Sequence, residues 1–314
     1  MAFEDVGHFE LEKGFKWSKC SALPDGRLLF TPFNHPSILL FDPASKTTEE
    51  VGNFEGDCKW SGVAALPNGK LVFVPQVSSV ILIFDPASKD WEEVKVPESW
   101  GSMPKFSDCM TLQDGKVLFV PYYSNSIVLF DAEAKTWEEI GDFEGAAKWS
   151  GCRSLPDGRI VFVPFSHPSV LIFDPSSKTS EMVGEWEGGF KWSGSDVLAD
   201  GKVVFAPLKH PAALVFDPES KTWEEAGDFG EGMKFNGCRR LQDGRVVFAP
   251  LDAESVAVFD PKSKTSQEFA HGKPKRMATD VVVLPDGRAV FVPCSCQEIV
   301  IFNPAAAAAA SGGS

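Results

Sequence analysis

Seven times the chain repeats a turn segment of one pattern, Leu-x-Asp/Asn-Gly-Arg/Lys, with its leucine at Leu23, Leu66, Leu112, Leu155, Leu198, Leu241 and Leu284. Five of the six intervals are 43 residues and the other is 46. A second marker, Phe-Asp-Pro, holds the same phase at Phe41, Phe84, Phe173, Phe216 and Phe259, with Phe130-Asp-Ala and Phe302-Asn-Pro as variants. A period this long and regular restricts the chain to repeat architectures, in which each unit buries its apolar faces against its neighbours.

Within the unit, β-branched and aromatic runs alternate with turn residues, so each copy reads as four short strands. In the fourth copy the first strand runs through Lys148-Trp-Ser-Gly-Cys-Arg-Ser-Leu155 and ends at Asp157-Gly158, a pair that tolerates the positive φ of a tight hairpin. The second, Arg159-Ile-Val-Phe-Val163, stops at Pro164, and the third, Ser169-Val-Leu-Ile-Phe173, closes at Asp174-Pro175. The fourth follows the pattern Thr136-Trp-Glu-Glu-Ile140-Gly141. The two middle strands are dense in Val, Ile and Phe, as strands covered on both faces are. Seven such units cover one another when stacked radially, so the expected fold is all-β, a seven-bladed β-propeller of four-stranded blades.

The ends of the chain fit ring closure. The last unit stops at Pro304 without a fourth strand, while Phe3-Glu-Asp-Val-Gly7-His-Phe9 aligns with Trp137-Glu-Glu-Ile-Gly141-Asp-Phe143. The N-terminal strand is therefore expected to complete blade 7. Residues 1–304 then form a single propeller, with blade 7 made of 275–304 plus 3–9. Residues 305–314, rich in Ala, Gly and Ser, read as a low-complexity tail of linker character.

The strings Leu155-Pro156-Asp157-Gly158-Arg159-Ile160-Val161-Phe162, Ile172-Phe173-Asp174-Pro175 and Lys221-Thr222-Trp223-Glu224-Glu225 resemble kelch-type propeller repeats, and the likeness extends over all seven units. Kelch repeats usually carry a Gly-Gly doublet after the second strand, where this chain has pairs such as Val163-Pro164 and Ala206-Pro207. The resemblance is to a divergent kelch-like propeller. It implies the fold and no activity, because kelch propellers include interaction modules as well as enzymes.

With 44 acidic against 30 basic side chains the net charge is −14, which argues against nucleic acid or an anionic membrane as partner. No apolar run approaches the roughly 20 residues of a membrane helix. The N-terminus lacks the basic and apolar segments of a secretory signal, so a cytoplasmic protein is expected. Of the seven cysteines, Cys20, Cys109, Cys152 and Cys238 each stand three residues before the repeat leucine and read as one small packing slot. Cys294 and Cys296 project to one side of a strand, but no second Cys or His pair is near them in sequence. No metal and no cofactor is expected. Glycine-rich phosphate loops, Gly-x-Ser-x-Gly elbows and His-Glu-x-x-His patterns do not occur.

In a propeller of this kind the loop leading into the first strand and the loop between the second and third strands open on one face, where site residues are sought. Six blades open with lysine, at Lys16, Lys59, Lys105, Lys148, Lys191 and Lys234. A ring of cations at the channel mouth would attract an anion, or would pair with loop acids such as Asp142 and Glu144. Trp17, Trp60, Trp149 and Trp192, with Phe106 and Phe235, repeat in the next slot and are assigned to packing.

Residues that break the repeat say more, because blade geometry does not demand them. In a slot that is glycine in four blades stand Lys19, Asp108 and Asp280, and two residues further on stand Arg153, Asp196 and Arg239. These charges are expected to line the channel, as an internal salt-bridge network or a ligand site. His35, His167 and His210 share one slot of the second loop and are candidate acid–base or anion-binding groups. Blade 3 has a lengthened opening loop with Trp100 and Met103, and its second loop carries Tyr122 and Tyr123, the only tyrosines. These four are expected to meet as an aromatic platform over the mouth.

The resulting expectation is a binding propeller that holds a small anionic or aromatic molecule, or a protein segment, at the channel mouth. The alternative is a metal-independent enzyme of lyase, isomerase or hydrolase type. In it His167, His210, Tyr122, Tyr123 or Asp108 would move protons while Lys and Arg stabilise negative charge. Polar loop residues differ from blade to blade, which favours one asymmetric site over a lectin-like set of equivalent sites.

Overall fold

The computed structural model describes residues 1–10 and 14–311, whose 28 strands form seven four-stranded antiparallel sheets. Each sheet is one blade, and in blades 1 to 6 the strand order across the sheet follows the chain. In blade 7 the outermost strand is the N-terminal Phe3–Val6, antiparallel to Ile299–Phe302, with Phe3 opposite Phe302 and Val6 opposite Ile299. The closure expected from the sequence is present.

Blade 4 shows why these strands need neighbours. Its strands are Trp149–Ser154, Ile160–Pro164, Val170–Asp174 and Thr179–Val183. Side chains alternate along a strand, so the middle pair presents two different faces. Ile160, Phe162, Leu171 and Phe173 pack on Leu118, Val120, Ile127 and Leu129 of blade 3. Val161, Val163, Val170 and Ile172 instead receive Phe205 and Phe216 of blade 5. The same aromatic-on-aliphatic fit closes the ring, where Phe30 and Phe41 of blade 1 meet Val290, Val292, Ile299 and Ile301 of blade 7. All these side chains are at most 4% exposed, and each stabilises the fold by about 1.5–3 kcal/mol relative to an exposed position.

The outermost strands are largely exposed and are joined by charge. A lysine in the turn between third and fourth strands reaches a glutamate on the preceding blade, as in Lys178–Glu138 at 2.7 Å and Lys221–Glu181 at 2.6 Å. Lys46, Lys89, Lys135 and Lys264 do the same, and Lys46 takes Glu4 of the N-terminal strand. Exposed pairs of this kind contribute at most about 1 kcal/mol each, so the belt is secondary to the packed faces.

Pro304–Ser311 is an α-helix, because six consecutive alanines follow a proline that suits the first helical turn. Asn303 caps it by accepting the Ala306 N–H at 3.1 Å, and Ala307 is buried against blade 7. No helix of the described residues is long and apolar enough to cross a membrane.

Deleting residues 1–10 removes the outer strand of blade 7, the buried Val6 and Phe9, and the Lys46–Glu4 and Lys273–Asp5 pairs. Loss of the two buried side chains alone amounts to about 3–6 kcal/mol. The truncated protein should unfold at a temperature lower by about 5–10 °C or more in a thermal scan. An unchanged melting temperature would show that the N-terminal strand does not latch the ring.

Candidate functional site

Two rings of hydrogen bonds shape one end of the channel. In each blade the N–H at the lysine slot donates to the carbonyl of the residue after the second-strand proline of the preceding blade. Lys148 N–H meets Tyr122 O at 3.1 Å, and Lys16 N–H meets Cys294 O at 3.0 Å across the closing seam. Two residues further on, the hydroxyls of Ser18, Ser61, Ser107, Ser150 and Thr279 donate to the aromatic-slot carbonyl of the next blade at 2.6–3.2 Å. Ser193 departs from this and meets Asn236 Oδ1 at 2.6 Å.

A funnel of about 280 Å³ opens above these rings. Its wall is the hydroxyl ring with Asn236, and Lys19 lies at its floor. Its collar is the residue after the second-strand proline in six of the seven blades: Phe33, Gln76, Tyr122, Phe165, Leu208 and Leu251. Phe15, Phe190 and Met233 complete it. Phe15 and Phe190 sit at φ 59° and 60° in the left-handed region, as do Cys58, Ala147 and Arg276 in the same slot of blades 2, 4 and 7, so this conformation belongs to the repeat. Lys209 Nζ stands 4.8 Å over the Phe190 ring and the Arg276 guanidinium 5.4 Å over Phe15, both favourable cation–π contacts at the rim.

Below the funnel the repeat-breaking charges meet one another. Lys19 Nζ lies 3.7 Å from Asp108 and 3.9 Å from Asp280, Arg239 lies 3.6 Å from Asp280, and Arg153 lies 3.8 Å from Asp196. Burial disfavours the Asp280 carboxylate, but Lys19, Arg239 and Arg153 outweigh it and hold its pKa below the usual range. The inner strands are close here. A Cβ on Gly194, itself at φ 81°, would fall 2.5 Å from the Cα of Gly237, so this slot admits a side chain only where the next blade leaves room. The salt-bridge arrangement is the one the structure contains, and it engages Asp108, Arg153 and Arg239.

The other sequence-derived candidates lie elsewhere than expected. The six lysines are buried and point to carbonyl oxygens, not to the mouth. Lys148 Nζ donates to Gly145 O and Tyr122 O, Lys191 to Gly188 O and His167 O, and Lys16 to Cys296 O and Ser295 O. Lys59, Lys105 and Lys234 also donate to loop carbonyls, so the ring ties the loops of this face together. His35, His167 and His210 stack on Trp17, Trp149 and Trp192 at 4.3–4.6 Å. Each accepts through Nδ1 from a backbone N–H two residues on, and none lines the funnel. Burial lowers the pKa of His35 and His167.

Trp100 packs on Phe106 and Trp137 and donates to Glu139, while Met103 is exposed. Neither joins the tyrosines. Tyr122 does line the funnel, against Phe165 at 5.9 Å, with Tyr123 edge-on to it at 5.2 Å. Burial, then Tyr123, pushes the Tyr122 hydroxyl up to about 12. Among the described residues no group of three or more His, Cys, Asp or Glu is placed to hold a metal ion, and all seven cysteines are free thiols. A wider groove of about 590 Å³ lies between blades 2 and 3 beside the Asp-Gly turns. It is lined by Asp114, Asp131 and Lys135, which are repeat residues, so it is a scaffold feature.

The sequence reading missed Phe33, Phe165, Leu208 and Leu251, and it also passed over Gln76 and Asn236. The signal was available: the position after the second-strand proline varies while the proline itself is constant.

No protein-family model and no curated protein matches the sequence. Solved structures do share the fold. A streptogramin B lyase superposes with a TM-score of 0.81 at 15% identity, covering 96% of this chain and 97% of that one. Virginiamycin B lyase from Staphylococcus aureus gives 0.81 at 11%, covering 96% and 99%. Hydrazine synthase from Kuenenia stuttgartiensis gives 0.70 at 15%, covering 95% and 98%. At this identity the likeness is one of fold: a seven-bladed propeller, with nothing specifically kelch about it.

The buried lysines predict a pH signature. Burial pushes the Lys148 and Lys191 ammonium groups down to about 8. Between about 8 and the unfolded value near 10.4 the folded chain holds fewer of these protons than the unfolded chain, so their contribution to stability rises with pH. Buried thiols act oppositely, since Cys238 is pushed up to about 12 and keeps its proton when folded. The comparison is therefore wild type against a Lys148→Met, Lys191→Met variant by urea unfolding. The stability difference should grow in favour of wild type from pH 8 to pH 10, by on the order of 1 kcal/mol per lysine. A flat difference would mean that both groups titrate normally.

Proposed function

We propose that the protein binds one small, mainly apolar or aromatic molecule in the funnel at the channel mouth. The observation that carries this reading is the collar itself. A concave collar of apolar side chains, Phe165, Leu208 and Leu251 with Phe15 and Tyr122, clusters around a cavity at the channel mouth, the kind of setting in which small apolar molecules are bound. The anionic preference expected from the lysine ring loses its basis, because those ammonium groups are spent on carbonyls inside the loops.

The fold neighbours bring an enzymatic reading into view. Virginiamycin B lyase from Staphylococcus aureus has been solved as a catalytically inactive histidine-to-alanine variant with quinupristin. In the present chain no histidine among the described residues lines the funnel, and Tyr122 keeps its proton to about 12. Groups able to exchange protons near neutrality are thus not gathered at the mouth, which supports binding over catalysis.

The neutral dye N-phenyl-1-naphthylamine tests this through its fluorescence in apolar sites. It should bind saturably at one site per chain. Phe190→Gly removes an exposed collar ring and suits the left-handed backbone, so the variant should keep its melting temperature and lose about tenfold in dye affinity, roughly 1.4 kcal/mol. Lys116→Ala in the opposite groove should leave binding unchanged. Dye binding that survives Phe190→Gly and is lost in Lys116→Ala would move the site to the other face.

A further inference from the structure

The polar groups of the funnel carry the argument one step further, resting on the reading that the funnel is the binding site. Three positions each break the repeat at their own level. Asn236 stands where five blades have serine and one threonine, Gln76 is the polar exception in a collar of apolar and aromatic residues, and Lys19 is the single cation in the glycine slot. Blade geometry demands none of them, yet all three line the same cavity.

Their bonding is incomplete. Asn236 Oδ1 is taken by the Ser193 hydroxyl at 2.6 Å, while its amide N–H donors meet no acceptor among the described residues. Gln76 Oε1 is shielded from solvent without a donor, an unfavourable condition that is relieved when the amide turns toward a ligand. Lys19 is already shared by Asp108 and Asp280, and the channel charges balance, with Lys19, Arg153 and Arg239 against Asp108, Asp196 and Asp280. A carboxylate lowered onto this floor would lose its hydration without meeting net positive charge. A carbonyl oxygen would accept the open N–H donors of Asn236 and Lys19 at no such cost, and a neighbouring N–H would satisfy Gln76.

We infer that the ligand carries an uncharged amide-type head group, a carbonyl paired with an N–H, seated on Asn236, Gln76 and Lys19 beneath its apolar body. The two side-chain amides are the specificity-determining residues.

Displacement of N-phenyl-1-naphthylamine by three isosteric probes at neutral pH and 0.15 M salt tests this. 2-Naphthamide should displace the dye at about tenfold lower concentration than 2-naphthoate or 2-methylnaphthalene. Asn236→Ser restores the repeat residue, and Gln76→Leu takes the residue found at Leu208 and Leu251, so both variants borrow chemistry the fold already accepts. Each should lower the preference for 2-naphthamide over 2-methylnaphthalene about five- to tenfold, both probes being measured in the same variant. Equal or tighter binding of 2-naphthoate overturns the neutral head group. Equal binding of all three probes, or variants that still prefer the amide, overturns the role of the two side chains while the dye result still supports the funnel. If the dye itself does not bind saturably, the funnel reading fails and this inference with it.

Discussion

Every blade has one aromatic and one aliphatic face, and the aromatic face of each fits the aliphatic face of the blade before it. Phe162 and Phe173 against blade 3, and Phe205 and Phe216 against blade 4, are instances of one contact made all round the ring. Because the two faces differ, blades can stack only in one sense, and a seventh blade that lacked its outer strand would leave the first blade's seam half covered. The N-terminal strand answers that requirement. The hydrogen-bond rings at the mouth, the ion-pair belt at the rim and the close approach of inner strands at Gly194 and Gly237 are set by the spacing this contact imposes.

A ring of near-identical blades leaves little freedom for a binding site, since any residue in a packed slot is fixed by its neighbours. Freedom exists at the top of the inner strands and just past the second-strand prolines, where side chains project into the funnel and not between blades. There the chain varies: Phe33, Gln76, Tyr122, Phe165, Leu208, Leu251 and Cys294 fill one slot with five residue types. The lysines show the converse. Their regularity reflects a structural task, the satisfaction of loop carbonyls such as Gly145 O and Gly188 O in places where water has been excluded.

The architecture was legible in the sequence because the Asp-Gly turns and Phe-Asp-Pro markers report strand ends directly, and because the unmatched strands at the two termini complement each other. The site was legible only in part. Tyr122 stood out as a residue type used nowhere else, and Lys19, Asp108, Arg153 and Arg239 as breaks in a regular slot. What the sequence withheld was direction. A lysine at the head of a strand has the same letter whether its ammonium faces solvent or a carbonyl, and His167 gives no sign in the sequence that its ring lies flat on Trp149. Trp100 looked like part of a platform over the mouth because its loop is longer, yet it fills the position that Phe143 and Trp186 occupy beside the aromatic slot of blades 4 and 5. Periodicity locates a side chain along the strand, while its surroundings depend on which blade stands next to it.

The paired charges beneath the funnel also decide how molecules travel. Lys19 of blade 1 reaches Asp108 of blade 3 across the lumen and Asp280 of blade 7, and the remaining pairs join blades 4 to 5 and 6 to 7. A molecule passing along the axis would have to part these ion pairs, so the funnel proposed as the site rests on a charged floor.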